Sequence, residues 1–224
     1  MPSVPQSAAS YPGGARSSVT YPALAARLLA LPPSCGQVRI VAVDGPSGAG
    51  KSTFAGHLAE VLVGAPVVRS DDFRVPWDAD PLTWWRPLRH AVLGPLRDGR
   101  PVVLRRYDWH HDRYGPEESV PPAPVLIIEG VGSAWAKAPA AYRIWIDAPY
   151  DLRRARALDR DGPEYAGAWE DWAVREQAHF TADATVDRCD LLVDGTTFTP
   201  YRFRVLPGTP ADRSPGPRGN GGWA

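Results

Sequence analysis

Gly45-Pro46-Ser47-Gly48-Ala49-Gly50-Lys51-Ser52 fits the spacing G-x-x-x-x-G-K-[ST] without a gap. Residues 38–43 ahead of it, Val-Arg-Ile-Val-Ala-Val, read as a buried parallel strand. Residues 52–63 behind it bring Phe54, Leu58, Val61 and Leu62 onto one helical face. Strand, glycine loop and helix follow in the order that gives the spacing a physical meaning. Glycines let the main chain wind around an anion, so that consecutive N–H groups point at phosphate oxygens. The helix start adds the positive end of its dipole to the same spot. Lys51 supplies a point charge, and the Ser52 hydroxyl suits a magnesium ion. The plainer reading is a glycine-rich turn joining a strand to a helix, and the flanking elements argue against it. Only two of the 25 Lys and Arg residues are lysines, and Lys51 is one of them.

The chain has 224 residues, enough for one α/β domain with a sizeable core. Lys plus Arg equals Asp plus Glu, so no overall field favours nucleic acid or an acidic membrane, and neither is expected as a partner. Two cysteines, Cys35 and Cys189, make no disulfide framework and no metal-ligand spacing, which suits a reducing cytoplasm. No apolar run reaches transmembrane length, and no signal-peptide core is expected at the N-terminus. Composition divides the chain into a disordered segment at 1–18, one domain at 19–206 and a disordered tail at 207–224. A homo-oligomer stays open.

Within the domain, strands are expected near 38–43, 66–70, 102–104, 125–129, 143–147 and 190–193. Helices are expected at 23–31, 52–63, 82–97, 150–161 and 164–182. Their alternation predicts right-handed crossovers and a mostly parallel central sheet between flanking helices, a three-layer α/β architecture. Ligands of such sheets bind beyond the carboxyl ends of the strands. Asp71-Asp72-Phe73 follows one strand, and Asp71 is placed to receive a proton from an acceptor hydroxyl, or else to cap a turn. Glu129 ends a fully apolar strand and reads as a magnesium-orienting acid or as a buried ion-pair partner. Arg153, Arg156 and Arg160 share a helix face, as a lid closing over phosphates with Arg160 foremost, or as a solvated face beside Asp151, Asp159 and Asp161. Adjacent His110 and His111 would point to opposite faces of a strand, so a shared metal is disfavoured.

Taken together, these stretches resemble the uridine kinase and phosphoribulokinase branch of P-loop kinases. The likeness rests on the glycine loop, Asp71-Asp72-Phe73, Trp84-Trp85-Arg86-Pro87-Leu88 and Tyr107-Asp108-Trp109. It continues through Leu126 to Gly130, the Arg-rich stretch from Arg153 to Asp161, and Cys189 to Gly195. It covers about Gln37 to Gly195 in the right order. The chain departs from the pattern at Arg74, where an aromatic is expected, and in the histidine position of Trp109-His110-His111-Asp112-Arg113. The resemblance implies a P-loop NTPase fold with a small helical lid. It also implies transfer of the γ-phosphoryl of ATP, with Mg²⁺, to a small-molecule hydroxyl, most readily a nucleoside 5′-hydroxyl. A sugar phosphate or vitamin precursor is the alternative acceptor, and a non-catalytic ATP-binding regulator the alternative role. Asp71, Lys51 and Arg160 are the expected catalytic set. Gly45, Pro46, Ser47, Gly48, Ala49, Gly50, Lys51, Ser52, Thr53, Arg153 and Arg156 would hold the nucleotide, and Ser52 with Glu129 the metal. Asp72, Arg74, Trp84, Tyr107, Trp109 and His110 would line the acceptor pocket.

Overall fold

Alternation of apolar residues along each strand sends side chains to both faces of one sheet, and both faces are covered. A computed structural model of the chain describes residues 17–209. The strands are β1 (Ser18–Thr20), β2 (Arg39–Asp44), β3 (Val67–Arg69), β4 (Val102–Asp108), β5 (Arg113–Val120), β6 (Val125–Glu129), β7 (Tyr142–Asp147), β8 (Leu191–Asp194) and β9 (Arg202–Val205). Seven of them form the main sheet in the order β1-β9-β8-β7-β2-β6-β3, and β4-β5 stand apart as a two-stranded ribbon. The run β8-β7-β2-β6-β3 is parallel, while β9 is antiparallel to both β8 and β1.

The helices are α1 (Tyr21–Leu29), α2 (Lys51–Val61), α3 (Trp85–Leu88), α4 (Gly94–Arg97), α5 (Tyr150–Asp161) and α6 (Ala166–Asp183). Val41, Val43, Ile127, Ile144 and Ile146 face α1 and α2, meeting Tyr21, Leu28, Phe54 and Leu58. Ile40, Ala42, Leu126, Ile128 and Trp145 face the other way, onto Trp84, Leu88, Val92, Trp172 and Phe180. The expected three layers are present, with the parallel run at their centre. No helix among the described residues is long and apolar enough to cross a membrane.

Three expectations change. The segment 102–104 joins no parallel sheet: β4 pairs antiparallel with β5. The connection is too short for a crossover, and the Asp108 carboxylate turns the chain by accepting the N–H groups of His110 and His111. The helix expected at 82–97 starts at Trp85 and widens into a π turn over Arg89–Leu93. There Gly94 N–H reaches back to Arg89 O, and Pro95, lacking an N–H, follows at once. Ser18 opens β1, and Thr209 accepts the Leu192 N–H, so the ordered domain extends past both compositional boundaries. The rest of the segments read as disordered, 1–16 and 210–224, lies outside the described residues.

The added edge has a core role. Phe203 of β9 is buried, with its ring 5.1 Å from Tyr21 and 5.0 Å from Phe54. Phe203→Ala should cost about 3–5 kcal/mol of unfolding free energy in urea denaturation. A loss below about 1 kcal/mol would mean that β9 contributes little to the core.

Candidate functional site

The parallel strands deliver acids to one edge of the sheet. Asp44 ends β2, Glu129 ends β6, Asp147 ends β7 and Asp194 ends β8, while Ser70-Asp71-Asp72 forms a 3-10 turn directly after β3. The Gly45–Ser52 loop leaves β2 at this edge, and α2 starts within it at Lys51. Gly48 and Gly50 have φ of 78° and 101°, the left-handed region that side chains disfavour. A Cβ on Gly48 would stand 2.2 Å from Arg153 O, and one on Gly50 would stand 2.5 Å from the Phe198 ring. The loop is held by the chain around it as much as by its own turns.

Asp44, which the sequence reading passed over, is fully buried. Its carboxylate accepts N–H groups from Gly45 at 2.7 Å, Gly132 at 3.0 Å and Ala134 at 2.7 Å. Burial pushes its pKa up to about 6 against those bonds and the nearby Lys51. Glu129 is also buried, accepts the Ser52 hydroxyl at 3.2 Å and lies 3.7 Å from Arg69 Nε. Burial takes it to about 7, with Lys51 opposing the rise and Asp71 adding to it. Lys51 is itself buried and donates to Pro46 O at 3.1 Å.

Glu176 of α6 is the second residue that the sequence reading missed. It is 1% exposed, accepts Ser47 N–H at 2.9 Å and faces Arg153 Nη1 at 3.3 Å. Burial lifts it to about 7, outweighing Lys51, the Ser47 bond and Arg153. Its signal was available: Trp169, Trp172, Glu176 and Phe180 recur at helical spacing, and an acid stands in an otherwise apolar stripe.

The three arginines of α5 part company. Arg153 donates to Ala148 O at 3.1 Å and Ser47 O at 3.3 Å. Arg156 donates to Gly195 O at 2.8 Å and Thr196 O at 3.0 Å. Both forks are engaged with main-chain carbonyls of the glycine loop and its neighbours. Arg160 pairs with Asp161 through two bonds of 2.7 and 2.6 Å, and the charges of Asp71 and Glu129 reach it.

On the acceptor side, the Trp109 indole N–H donates to Asp71 O at 2.8 Å, bringing the ribbon tip over the turn after β3. The Tyr107 hydroxyl donates to Asp112 and accepts from Arg74 Nε at 3.2 Å. The Tyr107 ring meets Trp109 at 4.9 Å and Tyr114 at 5.1 Å. Arg74, Tyr107 and Trp109 therefore gather beside Asp71. Trp84 does not join them. It is 1% exposed in the core, and its indole N–H is consumed by Val131 O at 3.1 Å, so it cannot line a pocket. Asp72 points inward to Arg69 N at 2.7 Å and Arg106, away from an acceptor. His110 sits exposed at the turn between β4 and β5, joined to Asp108 through its backbone N–H.

No protein-family model matches the chain. Over 140 residues it is 26% identical to a uridine kinase of Borrelia duttonii (strain Ly), covering 55% of this chain and 68% of that protein. It is 29% identical over 140 residues to a cytidylate kinase of Haloquadratum walsbyi, covering 62% of this chain and 67% of the other. Among solved structures, a "Possible Uridine Kinase" from Bacillus stearothermophilus superposes with a TM-score of 0.55 at 18% identity, covering 77% of this chain and 96% of that one. The chain is similar in sequence to these kinases, and it shares its fold with the solved neighbour.

In this chain three buried acids crowd one ammonium, and that arrangement has a pH signature. Glu176 lies well above its usual value of 4.5, so the folded chain keeps a proton that the unfolded chain has released. Stability must then fall as pH rises from about 4.5 to about 7 and level off above. Glu176→Gln keeps an oxygen for Ser47 N–H but cannot ionise. The drop in unfolding free energy between pH 5 and pH 8, measured in urea, should shrink by about 2–3 kcal/mol in that variant. An unchanged drop would place the titration elsewhere.

Proposed function

We propose that the kinase transfers the γ-phosphoryl of ATP to a hydroxyl of a small molecule, a nucleoside 5′-hydroxyl being the preferred acceptor. The observation that carries this reading is the meeting of two half-sites at one sheet edge. The glycine loop with Lys51, Ser52 and Glu129 makes one half, and Asp71 beneath the Trp109 ribbon makes the other. The uridine kinase relatives support the acceptor class.

The loop amides and Lys51 would hold the β- and γ-phosphates, with Thr53 continuing the helix start. Ser52 and Glu129 offer a hydroxyl and a carboxylate within 3.2 Å of each other, hard oxygen donors of the kind that Mg²⁺ takes. When bound there, Mg²⁺ would offset phosphate charge. Asp71 receives the acceptor proton, and Arg160 turns from Asp161 toward the transferring group. The transition state of phosphoryl transfer is loose, so positioning and charge neutralisation supply most of the acceleration. Arg153 and Arg156 contribute by fixing the loop from behind.

The test is a mass-spectrometric screen of nucleosides and phosphorylated sugars with ATP and Mg²⁺, using Lys51→Ala as the blank. Lys51→Ala should stay folded and lose nearly all turnover. Asp71→Asn should keep ATP affinity in calorimetry and lose about 10²–10⁴-fold in kcat. Parental turnover in either variant would contradict the role given to that residue. A second reading, a phosphorylated sugar as acceptor, draws on the half-exposed Arg74 guanidinium in the same cluster as Trp109. Turnover confined to phosphorylated sugars would select it. Slow ATP hydrolysis that no hydroxyl compound stimulates would point instead to a regulator.

A further inference from the structure

We propose that Arg106 is the positioning residue of the acceptor site: acting through Asp72, it fixes where the Asp71 carboxylate stands. The proposal rests on the reading of Asp71 as the base. Asp71 sits on the three-residue turn Ser70–Asp72, and its carboxylate has one short-range partner, the Ser70 hydroxyl at 3.1 Å. A turn of this length cannot hold a catalytic side chain to the accuracy that transfer needs. Its restraint comes from the ribbon.

Asp72 is folded inward and 7% exposed. Its Oδ2 closes the turn by accepting Arg69 N–H at 2.7 Å, and the same oxygen takes a charge-assisted bond from Arg106 Nη1. The other arms of that guanidinium reach Val67 O of β3 at 3.4 Å and Glu118 of β5 at 3.2 Å. One planar fork thus joins the strand before the turn, the turn itself and both strands of the ribbon. Three residues further on, just past the end of β4, Trp109 grips the Asp71 carbonyl. Arg106 and Trp109 hold consecutive residues of the turn, one by its side chain and the other by its main chain.

This sorts two adjacent carboxylates that composition treats as equals. Asp72 is drawn in as the structural anion, and Asp71 is left at the surface facing the cleft. The ribbon also carries Tyr107 and Trp109, so an acceptor that settles on them presses on the element that places the base. Without Arg106 the Asp72 carboxylate would stand nearly buried without its cation, and it would pull the turn toward water.

The first measurement is amide hydrogen exchange on the full chain without ligands, comparing the parent with Arg106→Met and Arg106→Lys. Amides at 69–73 should exchange about tenfold faster in Arg106→Met, while β2, β6 and β7 keep their protection. Arg106→Lys, with the charge but not the fork, should fall between. Should Arg106→Met fail to fold, the Lys variant carries the measurement. Unchanged exchange at 69–73 overturns the proposal, and this readout needs no turnover.

The second measurement is the initial rate with ATP, Mg²⁺ and uridine as probe. Arg106→Met should lower kcat about tenfold to a hundredfold, with the KM for ATP within about twofold. Added to Asp71→Asn, it should cost little more, because its effect runs through that carboxylate. Losses that multiply in the double variant would overturn the proposal, as would a fully active Arg106→Met beside a crippled Asp71→Asn. An Asp71→Asn enzyme with parental turnover would instead remove the base assignment itself.

Discussion

A buried carboxylate with three main-chain donors holds the site together. Asp44 ends β2, yet two of its bonds go to Gly132 and Ala134, in the loop that follows β6. Neighbouring parallel strands are already joined by their ladder, but ladders stop where strands stop. Asp44 continues the connection one step beyond the sheet. The glycine loop and the Glu129-Gly130 corner consequently move as one body. Ionising a group so deep is costly, and its raised pKa measures that cost. Glu129 and Glu176 share the predicament, and Lys51 acts on all three acids. Arg69 helps at Glu129 and Arg153 at Glu176, yet burial outweighs these cations. Burial therefore holds all three acids toward their protonated forms near neutral pH.

The two halves of the site are built in different ways. The loop half stands on central strands with complete ladders and buried neighbours on both faces. The acceptor half stands on β3, an edge strand of three residues, and on a ribbon outside the main sheet. Tyr107 OH, Arg74, Asp112, Arg106 and Trp109 join these parts through polar contacts at partly exposed positions. Such contacts open more readily than a packed core. The glycine-loop side is thus the rigid one and the ribbon side the pliable one.

How much of this was legible follows from the range of each signal. The glycine loop, the parallel strands and Glu129 are local patterns, and the structure has them where spacing and apolar runs put them. Trp84 misled because a tryptophan near a site reads as a stacking platform, whereas its N–H is bound to Val131, far away in sequence. The strand β5 escaped because Arg113–Val120 is exposed on nearly every residue, with one buried position and a Gly-Pro pair inside it. β4 alternates between buried and exposed positions, whereas β5 has no such alternation to detect. Asp44 could have been found by the logic that found Glu129, since each is an acid closing an apolar strand. Glu176 needed the helix phase of α6, and the weak start at Gly167 drew attention away from it.

The arginines of α5 show how one helix face can divide between anchoring a loop and standing free of it. A helix face bearing Arg153, Arg156 and Arg160 offers three forks, and a fork binds carbonyls as well as phosphates. Several carbonyls of the loop Gly45–Ser52 accept from side chains around it. Ser47 O and Pro46 O need donors, and Arg153 and Lys51 supply them. Arg156 does the same for Gly195 and Thr196. The first two turns of α5 are thereby committed to the loop. Arg160, near the helix end, is engaged only by its neighbour Asp161 among the described side chains, in a pairing that is partly exposed. A guanidinium in an exposed pair is held weakly, and two acids across the cleft already act on it. A single helix thus fixes the cradle with one end and leaves a cation within reach of Asp71 and Glu129 with the other.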